Sequence, residues 1–291
     1  MTGTFSMTTV FVYGTLLRGM RRFPVLRHAR FQGLGEVEGV LLNLIHYPGL
    51  LNGSGRVTGE LYEIDDETLW ELDQIEGYDA KDESGSLYLR ATLDVRSLDD
   101  GKNQKAFVYF YNQEPTPFSR ISSGDYRQHV EIFLNDETYY IAYGSNLNPD
   151  RLKRRVGDIE VGPKGYLDGF RLVFNKTNED GSGCANLQSA PGLQVHFVAY
   201  RLPEGLDQLH LLDIHEGVPH CYRRIVFPFP LGQDHRQALG YLYVTNPDRL
   251  LVGLMPQDEY LDHIETGYRI HGFEDDIASL PNRYENAAAY D

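Results

Sequence analysis

Cysteine is almost missing from this chain: 291 residues contain only Cys184 and Cys221. Both fall in the second half, set no disulfide framework, and fit a reducing compartment, the cytoplasm. Long apolar runs are missing too. None approaches the ~20 residues of a membrane helix, so no membrane partner is expected. The opening Met1-Thr2-Gly3-Thr4-Phe5-Ser6-Met7 has neither a basic region nor an apolar core, and is not read as a secretory signal. Positive charge is scarce: 27 Lys and Arg stand against 42 Asp and Glu, a formal net charge of −15. That balance disfavours nucleic acid as a partner. It would draw a cationic substrate or a basic protein, and solubility alone also accounts for it. No G-x-G-x-x-G occurs, and the strands follow one another too closely for βαβ crossovers, which argues against a dinucleotide fold.

What is present is one arrangement, written twice. A strand-like run ends in a tight turn at Tyr13-Gly14-Thr15-Leu16, and again at Tyr143-Gly144-Ser145-Asn146-Leu147. Each turn is followed, after a β-rich stretch, by Leu-Asp-x-x-Glu-Gly: Leu72 to Gly77 in one half, Leu212 to Gly217 in the other. Matched order and similar spacing indicate a tandem duplication. The length suits two domains, each with its own core. They are read as residues 8–134 and 138–272, followed by an acidic, loosely held tail over 273–291.

In the first half, strands are expected at Val10–Tyr13, Gly39–Leu44, Val57–Ile64, Leu87–Val95 and Ala106–Tyr111. Asp65-Asp66 caps a helix over Glu67–Ile75, which Gly77 stops. A short amphipathic helix ends near Phe133. The second half repeats the order, with strands at Tyr139–Tyr143, Phe170–Phe174, Val195–Tyr200, Tyr222–Val226 and Ala238–Val244. Its helices are expected at Leu206–His215 and Gln257–Ile270. Many short strands with one inserted helix per half imply an α+β domain on a small twisted sheet or barrel.

A glycine turn at a strand end can aim backbone amides into one concavity and hold a carboxylate or an oxyanion. Glu76 and Glu216 each close a helix, where the negative end of the dipole disfavours a carboxylate. Such a position would raise the pKa toward neutrality, as a general acid/base needs. The bland alternative is an exposed glutamate paired with Arg90 or Arg223. His210, His215 and His220 stand near Glu216 in sequence, but five-residue steps do not share a helix face, and no metal is expected. Cys221 has no counterpart thiol in the first half, where Leu87 precedes Tyr88. These residues describe a catalyst that needs no cofactor.

With these motifs, the chain resembles the γ-glutamylcyclotransferase superfamily over nearly its whole length, in two copies. The first copy is similar to the γ-glutamylamine (AIG2-like) branch through Val12-Tyr13-Gly14-Thr15-Leu16, Gly59-Glu60-Leu61-Tyr62, Leu72-Asp73-x-x-Glu76-Gly77 and Tyr88-Leu89-Arg90. The second is more similar to the γ-glutamyl-amino-acid branch through Ala142 to Leu147, Phe174-Asn175-Lys176, Asp180 to Gly183, Asp213-x-x-Glu216-Gly217 and Tyr222-Arg223. The resemblance implies two tandem small mixed β-barrels with flanking helices. It implies Glu76 and Glu216 as acid/base groups. It also implies that Tyr13, Gly14, Thr15, Leu16 and Tyr88, and likewise Tyr143, Gly144, Ser145, Asn146, Leu147 and Tyr222, hold a small γ-glutamyl substrate. The reaction implied is intramolecular aminolysis to 5-oxoproline and a free amine. A cationic leaving amine such as a polyamine, a lysine side chain or an aminoglycoside would suit the charge. Loss of turnover in one copy, leaving a binding module, is the alternative. The insert Tyr78 to Ser86 is expected to shape the leaving-group side.

Overall fold

Runs of β-branched and aromatic residues make the strands, and the breaks in their alternation decide where the sheets curl. The computed structural model of the protein describes residues 7–115, 117–134, 137–231, 237–273 and 280. The chain divides into two compact units, Met1–Phe133 and Leu134–Asp291.

The first unit runs β1 (Thr8–Val12), β2 (Arg30–Asn43), β3 (Pro48–Ile64), α1 (Asp66–Glu76), β4 (Tyr88–Ser97), β5 (Asn103–Tyr111), β6 (Ser119–Arg120) and α2 (Tyr126–Leu134). Its sheet order is β3-β1-β5-β4-β2-β6, and β2 pairs back onto β3 to close a five-stranded barrel. β1 and β5 are parallel through Val10 and Phe107, while the other ladders are antiparallel. Phe11, Leu61 and Val108 share one face of the sheet and Val10 lies on the other, all at 1% exposure or less.

One ion pair of this unit is fully buried. Glu60, fully buried, accepts from Arg127 Nη2 at 3.0 Å, from the Tyr62 hydroxyl at 2.8 Å and from the Arg18 amide at 2.9 Å. Burial pushes its carboxyl up, but Arg127 and Arg18 outweigh burial and hold it below its usual range.

The second unit repeats the plan with β7 (Thr138–Ala142), α3 (Pro149–Val156), β8 (Glu160–Thr177), β9 (Gly183–Leu202), α4 (Leu206–Glu216), β10 (Tyr222–Pro230), β11 (Gln237–Thr245) and α5 (Asp258–His271). Its order is β10-β11-β7-β9-β8, with β7 and β11 parallel through Tyr140 and Tyr241. Among the described residues no ladder joins the edge strands β8 and β10.

Two differences from the expected elements matter. The β2–β3 and β8–β9 hairpins are far longer than the expected strands, because bulges interrupt the side-chain alternation at Phe31/Gly33, Glu38/Val40, Val161/Lys164 and Asp168/Phe170. Glycines that read as loop punctuation lie within paired strand. In addition, α3 is not among the elements expected from sequence. Its signals are local: Asn148 accepts from the amides of Asp150 and Arg151, Pro149 occupies the first helical position, and Gly157 follows the last. Of the expected acidic tail, Phe273 is buried against His196, and residues 274–279 and 281–291 lie outside the described residues.

Candidate active site

The repeated Leu-Asp-x-x-Glu-Gly segment works first as an anchor. Leu72 and Leu212 are fully buried on the inner faces of α1 and α4. One turn above the glutamate, Asp73 accepts from Tyr109 at 2.7 Å and from Arg90 at 2.6 Å, tying α1 to β4 and β5. Asp213 does the same with Tyr243 at 2.8 Å and Arg224 at 2.5 Å. The arginines of the Tyr-x-Arg strands therefore serve the aspartates. Among the described residues Arg90 pairs with Asp73, and Glu216 pairs with Arg155. Gly77 and Gly217 end the helices in the left-handed conformation, φ 60° and 67°, which only glycine adopts at little cost. The chain turns away there and leaves Glu76 and Glu216 at the helix ends.

The tight turns match in the same detail. Tyr13 donates to the Tyr109 carbonyl at 2.6 Å, and Tyr143 to the Tyr243 carbonyl at 2.5 Å. The Leu17 amide donates to Gly14 at 3.0 Å, and the Leu147 amide to Gly144 at 2.9 Å. Glycine is required by close approach: a Cβ on Gly14 would lie 2.6 Å from Pro48, and one on Gly144 would lie 2.9 Å from Ala185. Tyr88 and Tyr222 reach across to the same strands, donating to the carbonyls of Pro48 at 2.6 Å and Ala185 at 2.9 Å.

In the first unit these pieces surround a cavity of about 190 Å³. Tyr13, Gly14, Thr15, Leu16, Glu76 and Tyr88 all line it, together with Arg22, Tyr47, Leu87 and Tyr109. Burial pushes the Glu76 carboxyl up to about 7, against a smaller opposing pull from Arg22. Desolvation leads here. Burial also drives the Tyr13 and Tyr88 phenols well above their ordinary range, with Glu76 adding to the rise in both. Both hydroxyls remain protonated donors near neutral pH.

The second unit has the same frame around far less space. Tyr143, Gly144, Ser145, Asn146, Glu216 and Tyr222 line a cavity of about 30 Å³, room for a water or two. Leu147 does not line it; it is fully buried beneath the turn, against Gly267 of α5. Tyr260, also from α5, enters the cavity, where its hydroxyl accepts from the Ala185 amide at 3.0 Å. Glu216 Oε1 accepts from Arg155 at 2.8 Å and from Asn146 at 3.0 Å.

Arg22, Arg155, Tyr109 and Tyr260 are the site residues that sequence reasoning missed. Arg155 could have been found through the α3 start signal, and Tyr109 through its alignment with Tyr243. His210, His215 and His220 are all exposed, and no three His, Cys, Asp or Glu side chains converge as a metal site among the described residues. No helix among them is long and apolar enough to cross a membrane.

Comparison with known proteins follows the same two-fold division. The family described as Gamma-glutamyl cyclotransferase, AIG2-like, matches residues 10–128 and again residues 140–268. The chain belongs to this family. It is similar to YkqA of Bacillus subtilis (strain 168), 27% identical over 274 residues that cover 90% of this chain and 92% of that one. The crystal structure of YkqA superposes with a TM-score of 0.69 at 24% identity, covering 95% of this chain and all of the other, which shows a shared fold. The chain is also similar to the gamma-L-glutamyl-butirosin B gamma-glutamyl cyclotransferase of Niallia circulans, 30% identical over 129 residues, 44% of this chain and 80% of that protein.

Proposed function

We propose that the first domain, residues 8–134, is a γ-glutamylcyclotransferase with Glu76 as its general acid/base. The observation that carries this reading is a carboxyl titrating near 7 in the wall of an amino-acid-sized cavity, opposite a tight glycine turn. Glu76 removes a proton from the substrate's α-ammonium. The freed amine attacks the γ-carbonyl, and a five-membered ring closes. The turn amides of Gly14, Thr15 and Leu16 face the developing oxyanion, those of Leu17 and Arg18 being taken by Gly14 and Glu60. The ring nitrogen gives its second proton to water, and Glu76 passes the proton it holds to the leaving nitrogen as the amide C–N bond breaks. The products are 5-oxoproline and a free amine. The nucleophile is part of the substrate, so holding the chain folded supplies much of the rate advantage, and the chemistry calls for no cofactor.

The leaving group is a cationic amine in this reading. The insert from Tyr78 to Ser86 is rooted where Leu87 donates to the Gly77 carbonyl at 3.0 Å, at the cavity wall, and carries Asp79, Asp82 and Glu83 against Lys81. The relative named for γ-glutamyl-butirosin, an aminoglycoside, supports the same class. The second domain, 138–272, is a closed copy: a 30 Å³ cavity and an engaged Glu216 favour the binding or structural alternative there. The free thiols of Cys184 and Cys221 suit a cytoplasmic enzyme.

The test is 5-oxoproline release from γ-glutamyl derivatives of cationic amines, neutral amines and amino acids. Preference for the cationic amines is expected. Equal turnover of cationic and neutral derivatives would sink the leaving-group assignment, and no release from any of them would sink the activity.

A further inference from the structure

Resting on the γ-glutamyl reading above, we infer that Arg22 is the residue that receives the substrate's α-carboxylate. A γ-glutamyl group enters as a zwitterion, with an α-ammonium and an α-carboxylate on one carbon. The cavity of the first unit is lined by one carboxylate, Glu76, and one cation, Arg22. The acid/base role puts Glu76 beside the ammonium. The carboxylate on the same carbon then needs a partner on the other side of that carbon, and Arg22 is the cation in reach.

The placement of Arg22 is built into the fold. Its amide donates to the Thr15 carbonyl at 2.9 Å, which fixes it to the turn that forms the cavity floor. Its guanidinium leans on the end of α1, with Nη1 3.5 Å from the Ile75 carbonyl, one residue before Glu76. That contact is long and occupies one of five N–H groups, so a fork remains for a carboxylate. Arg22 is also close enough to Glu76 to pull its carboxyl down against burial. A guanidinium neutralised by the substrate carboxylate pulls less on Glu76.

The second unit lacks this feature. No Lys or Arg lines its cavity, and Arg155 is spent on Glu216. Carboxylate recognition by a cation is accordingly confined to the first domain.

The experiment compares the full chain with Arg22→Met and Arg22→Lys. The substrates are a γ-glutamyl amide and its decarboxy analogue, the 4-aminobutyramide of the same amine. The analogue cyclises to 2-pyrrolidinone by the same step: its amine nitrogen loses a proton and bonds to the carbonyl carbon, and the leaving nitrogen gains a proton as its C–N bond breaks. The wild type should prefer the carboxylate-bearing substrate in kcat/KM by about 10- to 100-fold, the strength of a charge-assisted contact. Arg22→Met should lose that preference chiefly through a raised KM for the carboxylate-bearing substrate, while on the analogue its main effect is an upward shift of the pH profile as Glu76 loses the arginine's pull; Arg22→Lys should recover part of the preference. A purely structural role would depress both substrates together. Retention of the full preference by Arg22→Met would overturn the inference and leave the carboxylate to the turn amides. A parallel titration with 5-oxoproline and 2-pyrrolidinone reads carboxylate selectivity without turnover. If the wild type releases no 5-oxoproline yet binds it in an Arg22-dependent way, the assigned reaction fails and the Arg22 inference stands. If binding shows no such dependence, the inference fails.

Discussion

Arg155 Nη1 stands 2.8 Å from Glu216 Oε1, and the same oxygen accepts from Asn146 at 3.0 Å. Glu76, at the matching position of the first unit, lines open cavity instead. Two glutamates at equivalent helix ends thus have different surroundings, which is the basis of an expected division of labour. Glu76→Gln is expected to lower 5-oxoproline release by about 10²- to 10⁴-fold, the usual worth of a placed acid/base. Glu216→Gln should leave it within about 2-fold, since its unit holds no room for a glutamyl chain. Release assays on both variants, with circular dichroism to establish folding, decide this. Equal losses from the two exchanges would refute the division of labour.

The titration of Glu76 makes opposite demands on activity and stability. As a base it must be ionised, so kcat/KM should rise with a slope of one through about pH 7 and then level. For stability the sign reverses. The folded carboxyl titrates near 7 and the unfolded one near 4.5. The folded state binds the proton more tightly, so stability is fully present below the unfolded value and is lost as pH rises through 7. The loss amounts to at most about 3 kcal/mol, and less to the extent that water enters the cavity mouth. Glu76→Gln escapes it. Thermal unfolding at pH 5 and pH 8 should show the variant gaining on the wild type only at pH 8. The same difference at both pH values would mean that the carboxyl does not titrate in this range.

The repeat logic that makes Glu76 and Glu216 legible in sequence is also what hides the differences between the two sites. Reading a duplication means looking for what both halves share, and the halves share the turn, the Asp anchor and the glutamate. Arg22, Arg155 and Tyr260 lie where they diverge. Tyr260 reaches its cavity from α5, far along the chain from both Gly144 and Glu216, and long-range packing of that kind leaves no local pattern. The long hairpins are obscured for another reason. Bulges shift the side-chain alternation inside β2 and β8, so each reads as several short segments. Helix ends, by contrast, are set by neighbouring residues. Asp65 with Gly77 bounds α1 within a residue of the sequence expectation.

Glu60 offers a test of what holds the first barrel together. Exchange to Gln removes the carboxylate from a buried pair whose arginine, Arg127, is 3% exposed at its side chain. Breaking one partner of such a pair costs about 3–5 kcal/mol. Chemical denaturation of Glu60→Gln should show that loss at neutral pH. The carboxyl is held below its usual range, so its contribution is present above the unfolded pKa and fades as pH falls through the lower folded value. The gap between variant and wild type should therefore narrow in acid. A gap independent of pH would assign the loss to packing and not to the ion pair.

Tyr260 enters the second cavity from α5, and its removal separates a filled site from an incompetent one. Tyr260→Ala deletes the ring and the hydrogen bond to the Ala185 amide. It should lower the stability of the second unit by roughly 2–4 kcal/mol, below the upper end for a fully buried aromatic because the ring is partly exposed. The opened space still contains Glu216 held by Arg155 and Asn146, and no cation to meet a substrate carboxylate. The rate of 5-oxoproline release by the full chain should then stay within about 2-fold of the wild type. A rise that Glu216→Gln removes when added to Tyr260→Ala would show a competent second site gated by one tyrosine. An unchanged rate in both variants would mean that opening the cavity is not enough, as expected if the pairing of Glu216 also keeps the second domain inactive.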